Sequence, residues 1–210
     1  MNNVISFNSI KISQNVIANV RTSFNSLKKN LEVKQTAYIH PLAAVIGQVY
    51  LGKRVMVAPG ASIRGDKGQT IWVGNDVKVQ DGVVLQTLQA RHHHQLIDKT
   101  AVQVAGKFYG VYIEDRVSLT SQCQIHGPAI IGADTFVGMQ ALVFRATVGR
   151  NCVIEPKALV MGVEIDDGRY VPAGALITTQ EAADNLPFVN QDHPLQNINR
   201  VAVSVNAPLA

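Results

Sequence analysis

The sequence has little of what would place it in a membrane, outside the cell or on a disulfide scaffold. Among 210 residues only two are cysteine, 16% are charged and 6% are aromatic. No apolar run approaches the roughly 20 residues that a membrane-spanning helix needs. The first residues, MNNVISFNSIKIS, lack the charged, apolar and small-residue regions of a signal peptide. We therefore expect a cytosolic protein with no membrane span and with free cysteines.

The net charge of +4 lies at the amino-terminal end of the chain. Residues 1–35 hold five basic side chains and one acidic one, whereas the remaining residues hold 14 of each. Proteins that bind nucleic acid usually cluster positive charge on the folded face that meets phosphate. The neutral body of this chain predicts no nucleic-acid partner.

Aliphatic residues recur every six positions through most of the chain. A period of six fits neither a helix, which repeats every 3.6 residues, nor an alternating strand. It is typical of a three-sided β-helix, in which each hexapeptide supplies one short strand and one turn. The aliphatic residue and the small residue four places later point inward, and Cys123 and Cys152 both take the small position. The repeat positions are Ile39, Val45, Leu51, Val57, Ile63, Val73, Val79, Leu85, Ile113, Leu119, Ile125, Ile131, Val137, Val143, Val148, Ile154, Val160, Val171 and Ile177.

The repeat predicts an all-β domain over residues 36–179, with a shorter segment at each end. Residues 1–35 form a basic arm, and apolar residues between 13 and 31 have the spacing of a helix. Residues 180–210 are predicted to be a helical segment that packs on the β-helix. It begins within TTQEAADNLP, which has the pattern of a short helix stopped by Pro187.

The frame of the repeat also places polar side chains relative to one another. Arg64, Gln86 and His126 follow repeat positions of one face, so Gln86 and His126 lie about one strand spacing, ~4.8 Å, apart. Ser121 lies on a different face and can approach this pair only from another copy of the chain. A site that uses all three residues therefore lies between subunits of a symmetric assembly.

Several motifs resemble the gamma-class carbonic anhydrases, above all the carbonic-anhydrase-like domain of carboxysome scaffold proteins. They are TAYIHPLAAVIGQVYLG, APGASIRGDKG, VQDGVV, IHGPAIIG and GRYVPAGALITTQEAADNLP, spread over residues 36–186. The resemblance implies a left-handed parallel β-helix that forms a homotrimer. It implies sites between subunits, with zinc held by two histidines from one subunit and one from its neighbour. Carboxysome shell proteins or enzymes are the implied partners, and the carboxysome is an implied location.

Carried over to this chain, the three zinc-ligand positions are Gln86, Ser121 and His126. Only His126 is a histidine. A glutamine amide and a serine hydroxyl are neutral and bind zinc weakly, whereas catalytic zinc takes three nitrogen, sulfur or carboxylate ligands. We therefore expect no cofactor.

The resemblance assigns supporting roles around this site to residues that the chain retains. Arg64 and Asp66 match a salt bridge between subunits, and Gln80 matches a glutamine that contacts bound water or bicarbonate. Lys67 stands where the family has a carboxylate. The polar framework thus persists, while two zinc ligands and one further acidic group are replaced.

These substitutions predict a trimer that does not hydrate carbon dioxide and that serves in assembly or holds bicarbonate. Two alternatives stay open. One is an active zinc carbonic anhydrase in which His92 and His94 of the sequence RHHHQ replace the missing ligands, although we interpret this stretch as a solvated polar loop. The other is a hexapeptide acyltransferase with His126 as general base.

Overall fold

The computed structural model describes residues 16–17, 32–89, 91–92, 95–96, 100–190 and 192–195. Regular structure in these residues is almost all short strands. In chain order they are β1 (Val16–Ile17), β2 (Glu32–Val33), β3 (Tyr38–Ile39), β4 (Ala44–Gly47), β5 (Val49–Leu51), β6 (Met56–Val57), β7 (Ser62–Gly65), β8 (Ile71–Val73), β9 (Lys78–Val79), β10 (Val84–Gln86), β11 (Arg91–His92), β12 (Gln95–Leu96), β13 (Val102–Val104), β14 (Lys107–Tyr109), β15 (Val111–Ile113), β16 (Ser118–Leu119), β17 (Gln124–His126), β18 (Ala129–Ile131), β19 (Phe136–Val137), β20 (Leu142–Phe144), β21 (Thr147–Val148), β22 (Val153–Ile154), β23 (Leu159–Met161), β24 (Glu164–Ile165), β25 (Tyr170–Val171) and β26 (Leu176–Ile177).

Three parallel sheets form the sides of a β-helix. Face A has the strand order β1-β4-β7-β10-β17-β20-β23-β26, and face B has the order β2-β5-β8-β15-β18-β21-β24. Face C has the order β25-β22-β19-β16-β9-β6-β3. Apart from β11–β14, successive strands of the chain turn from one face to the next, so three of them complete a coil, and about eight coils stack. This confirms the predicted all-β, left-handed parallel β-helix. Between β10 and β15 the chain instead forms two antiparallel pairs, β11–β12 and β13–β14.

The core is the column of repeat side chains inside the coils. On face A, Ile63, Leu85 and Ile125 pair in register and have no exposed surface. Burying an aliphatic side chain of this size stabilises the fold by about 1.5–3 kcal/mol. Cys123 and Cys152 are also buried in the core, and burial raises their thiol pKa values to about 12 and about 11. Both thiols therefore stay protonated and pack as small apolar groups.

Segments at the two ends extend this core. Val16–Ile17 pairs with Val45–Ile46 on face A, and Glu32–Val33 pairs with Tyr50–Leu51 on face B, so the sheets take in residues of the predicted arm. At Val16–Ile17 the structure has a strand where the apolar spacing predicts a helix. The reason is that the edge of β4 offers unpaired backbone groups, and β-branched residues suit a strand.

The carboxyl-terminal side begins with the helix α1 (Gln180–Asp184), which lies within the stretch predicted to be helical. Thr179 caps it, because its hydroxyl accepts a hydrogen bond from the backbone N–H of Ala182 at 3.2 Å. The rest of the predicted amino-terminal helix and residues 196–210 lie outside the described residues. In the described part of the chain, no helix is both long and apolar enough to cross a membrane.

Candidate functional site

A column of outward side chains crosses face A. Arg64 on β7 pairs with Gln86 on β10, Gln86 pairs with His126 on β17, and His126 pairs with Phe144 on β20. Each of these residues follows a buried repeat residue, so its side chain leaves the core on the outer side of the sheet. The structure thus brings Arg64, Gln86 and His126 together in the order that the repeat predicts.

Arg64 and Asp66 form an ion pair within one chain. The Nη2 group of Arg64 donates a hydrogen bond to Oδ2 of Asp66 at 2.6 Å. The backbone carbonyl of Arg64 accepts a hydrogen bond from the hydroxyl of Thr87, which is fully buried. The guanidinium at the end of the Gln86–His126 column is therefore held in place by its own chain.

His126 is half-buried, and its ring centroid lies 6.3 Å from that of Phe144. Burial lowers the pKa of the His126 imidazole, and the positive charge of Lys67 lowers it further. Both effects favour the neutral imidazole at neutral pH. Lys67, which places this positive charge beside the ring, stands at the position where the resemblance implies a carboxylate.

Ser121 and Gln80 form a second polar group, on the corner where face C turns into face A. The hydroxyl of Ser121 donates a hydrogen bond to Oε1 of Gln80 at 3.4 Å. The next residue, Gln122, has a left-handed backbone with φ of 63°, and its Oε1 accepts a hydrogen bond from Nε2 of Gln140 at 2.8 Å. Within one chain the predicted site is thus divided between the Gln86–His126 column on face A and the Gln80–Ser121 corner.

Lys78 is a functional candidate that the motifs do not single out. It lies on β9, two residues before Gln80, and pairs in register with Ser118 on β16. Only 7% of its surface is exposed, and among the described residues its buried Nζ has no hydrogen-bond partner. Burial lowers the pKa of the Lys78 ammonium. The available signal was its position directly before the buried repeat residue Val79, because a strand neighbour of an inward residue points outward.

The side chains at the three positions that the resemblance assigns to zinc ligands do not fit a catalytic zinc ion. Gln86 and Ser121 offer a neutral amide and a hydroxyl, His126 offers one imidazole, and Lys67 adds positive charge nearby. In the part of the chain that the structure describes, no three His, Cys, Asp or Glu side chains are grouped to hold a metal. His92 lies on β11 opposite Gln95 of β12, and His94 lies outside the described residues.

Comparison with known proteins gives two curated relatives and a likeness of fold. No family model matches the chain. A carbonic anhydrase of Methanosarcina thermophila is 48% identical over 197 residues, which are 93% of this chain and 80% of that protein. A carboxysome assembly protein CcmM of a Nostoc species is 40% identical over 158 residues, which are 75% of this chain and only 27% of that protein. A hexapeptide transferase family protein of Anaplasma phagocytophilum has a TM-score of 0.62 at 22% identity, covers 86% of this chain and 93% of its own, and shares the fold.

Proposed function

The chain belongs to the gamma-class carbonic anhydrase family, and we propose that within this family it is a trimer that does not hydrate carbon dioxide. The proposal rests on the side chains at the three implied zinc-ligand positions, which are those of Gln86, Ser121 and His126. Hydration in a zinc enzyme depends on a metal-bound water whose pKa is lowered to about 7. One imidazole with an amide and a hydroxyl does not hold the ion that would lower it.

Exposed apolar side chains on the outer side of face A support assembly of the subunits through this face. Phe144 of β20 and Met161 of β23 continue the His126 column on successive coils, and Leu176 of β26 lies in the neighbouring outward column, in register with Leu159. Met161 and Leu176 are 40% and 60% exposed. Contiguous exposed apolar side chains on a folded domain are typical of a protein interface. In the proposed trimer the Gln80–Ser121 corner of one subunit meets the Gln86–His126 column of the next.

The proposed role is structural, in assembly, or the holding of bicarbonate. The similarity to CcmM, whose name describes a carboxysome assembly protein, supports carboxysome shell proteins or enzymes as partners and the carboxysome as a location. Because this chain spans about a quarter of that protein, the partners of the full scaffold are proposed for this chain and do not follow from the match alone.

The alternative function is an active zinc carbonic anhydrase, which the 48% identity to a protein of that name favours. It requires substitute ligands, and His92 and His94 are the residues predicted for that task. The acyltransferase alternative is supported only by similarity of fold, because the matching hexapeptide transferase family protein is 22% identical to this chain.

Zinc binding by a pair of variants tests the proposal. Restoring both predicted ligands with Gln86→His and Ser121→His creates three imidazoles between subunits, and we expect about one zinc ion per chain after dialysis. The parent protein should retain no zinc under the same conditions. Metal content measured by plasma mass spectrometry, beside subunit number from light scattering, checks both.

A matched control adds the same number of histidines at the wrong place. Gln86→His with Gln122→His moves the second histidine one residue along the corner, and this variant should stay without zinc. Stoichiometric zinc in the parent protein would overturn the proposal. A restored double variant that remains trimeric without zinc would overturn the proposed arrangement of subunits.

A further inference from the structure

Outward side chains in the middle of face C are buried, which sets this face apart from the other two. The outward residues of β9, β16, β19 and β22 pair in register and are 0–7% exposed. On faces A and B, every outward strand residue that the structure describes is partly or fully exposed. The buried column of face C consists of Lys78, Ser118, Phe136 and Val153.

The cover over this column belongs to the same chain, because the burial is present in a single subunit. The helix α1 packs mainly against β24 and β26, which belong to faces B and A. The hairpins β11–β12 and β13–β14 leave the coils between a strand of face A and a strand of face B. In the amino-terminal arm, β1 pairs on face A and β2 pairs on face B. These elements leave the middle of face C to another part of the chain.

His193 brings the chain to the end of face C that adjoins the buried column. Its ring centroid lies 5.2 Å from that of Tyr170, which pairs in register with Val153. Its Nε2 lies 3.5 Å from Oε1 of Glu155, and its Nδ1 accepts a hydrogen bond from the backbone N–H of Leu195 at 3.3 Å. The backbone is helical at residues 194 and 195. The chain that follows therefore starts beside the column.

The sequence after His193 has the apolar pattern and the length to cover the column. Its apolar residues recur at intervals of three and four, which places them on one side of a helix. Four strand spacings, roughly 19 Å, separate β25 from β9. A helix spans this distance in about 13 residues. The apolar side consists of Leu195, Ile198, Ala202 and Val205.

We propose that the carboxyl-terminal segment, residues 196–210, lies along face C and covers the column from Lys78 to Val153, with His193 as the residue that anchors its start. The occupant of this surface is thus an apolar stripe of the same chain. The proposal assigns a face and an anchor to the packing that the sequence predicts for this segment. It does not depend on whether the protein binds zinc.

Alkylation of a thiol placed on face C tests this in the full chain. Ser118→Cys is close in size to the parent residue and adds one thiol to the column. The parent thiols, Cys123 and Cys152, are buried and protonated, so they react only if the coils open. We expect N-ethylmaleimide to modify the thiol of Ser118→Cys at least about tenfold more slowly than that of Glu164→Cys, which is exposed on face B.

A pair of carboxylates in the apolar stripe should uncover the column. Ile198→Asp with Val205→Asp, added to Ser118→Cys, should raise the rate of alkylation at position 118 at least about tenfold, because a carboxylate does not pack against apolar side chains. Asn199→Asp with Asn206→Asp adds the same charge one residue further along and should leave the rate unchanged. Intact-mass spectra in which Cys123 and Cys152 stay unmodified show that the coils remain folded.

The anchor is tested by His193→Ala in the same Ser118→Cys background. It removes the contacts with Glu155 and Tyr170 and should also raise the rate of alkylation. A rate equal to that of Ser118→Cys alone would overturn the role of His193. An unchanged rate in Ile198→Asp with Val205→Asp, or an equal rise in the asparagine pair, would overturn the assignment of this segment to face C.

Discussion

At the scale of single residues, Gln86 and His126 occupy neighbouring strands with the same outward direction, and both flank a fully buried repeat residue. The backbone that would present two zinc ligands is therefore intact. The difference that the resemblance implies lies in the side chains, since Gln86 has an amide at a position where it implies an imidazole, and Lys67 adds positive charge beside His126. The scaffold and the metal chemistry are thus separable, because strand pairing is made by backbone groups and ligation by side chains.

Burial of Lys78 should make the free energy of unfolding depend on pH in a definite direction. Burial lowers its pKa below the ordinary value of 10.5, so between the folded pKa and 10.5 the unfolded chain binds more protons than the folded chain. The free energy of unfolding should therefore rise with pH in that window. We expect Lys78→Met to lack this rise in urea titrations from neutral pH to 10.5 in chloride buffer. Lys53→Met should follow the parent protein, and a parent profile that coincides with that of Lys78→Met would contradict the account.

At the scale of elements, each strand of two to four residues is too short to be stable alone and depends on the coils above and below it. Ile125 on β17 lies between Leu85 and Val143, and all three are fully buried. Loss of one buried position therefore affects several coils.

Ile125→Asp tests this dependence. A carboxylate in the apolar column is buried without a partner, and we expect a loss of at least about 3 kcal/mol, with no soluble trimer. Glu164→Gln changes an exposed strand residue on face B, away from the proposed subunit contact, and should leave the assembly intact. Size-exclusion chromatography with light scattering and circular dichroism reports both. A folded monomer from Ile125→Asp would show that the column is not the core of the coils.

Much of this element-scale structure was predictable from sequence because the β-helix repeats its burial pattern every six residues. The same frame predicted the column of Arg64, Gln86 and His126. It did not predict the strand at Val16–Ile17, since that strand depends on the open edge of β4 and not on its own spacing. The six-residue repeat also did not predict the burial of Lys78. It predicts that this side chain points outward, but it does not predict which residues cover the side chain.

At the scale of the whole molecule, the three faces have different surfaces. Face A combines a polar column with exposed Met161 and Leu176, whereas the edge of face C offers Gln80 and Ser121 beside the buried Lys78. In the proposed trimer these two surfaces meet, and the contact covers the exposed apolar residues of face A.

The central claim is that this family member does not hydrate carbon dioxide, and stopped-flow hydration assays on the purified full chain with zinc supplied test it most directly. We expect no rate above that of the buffer, with a zinc-loaded gamma-class enzyme as the positive control. A zinc-dependent rate that is lost when the metal is chelated would contradict the account. It would also mean that other residues replace the missing ligands, with His92 and His94 the first to substitute.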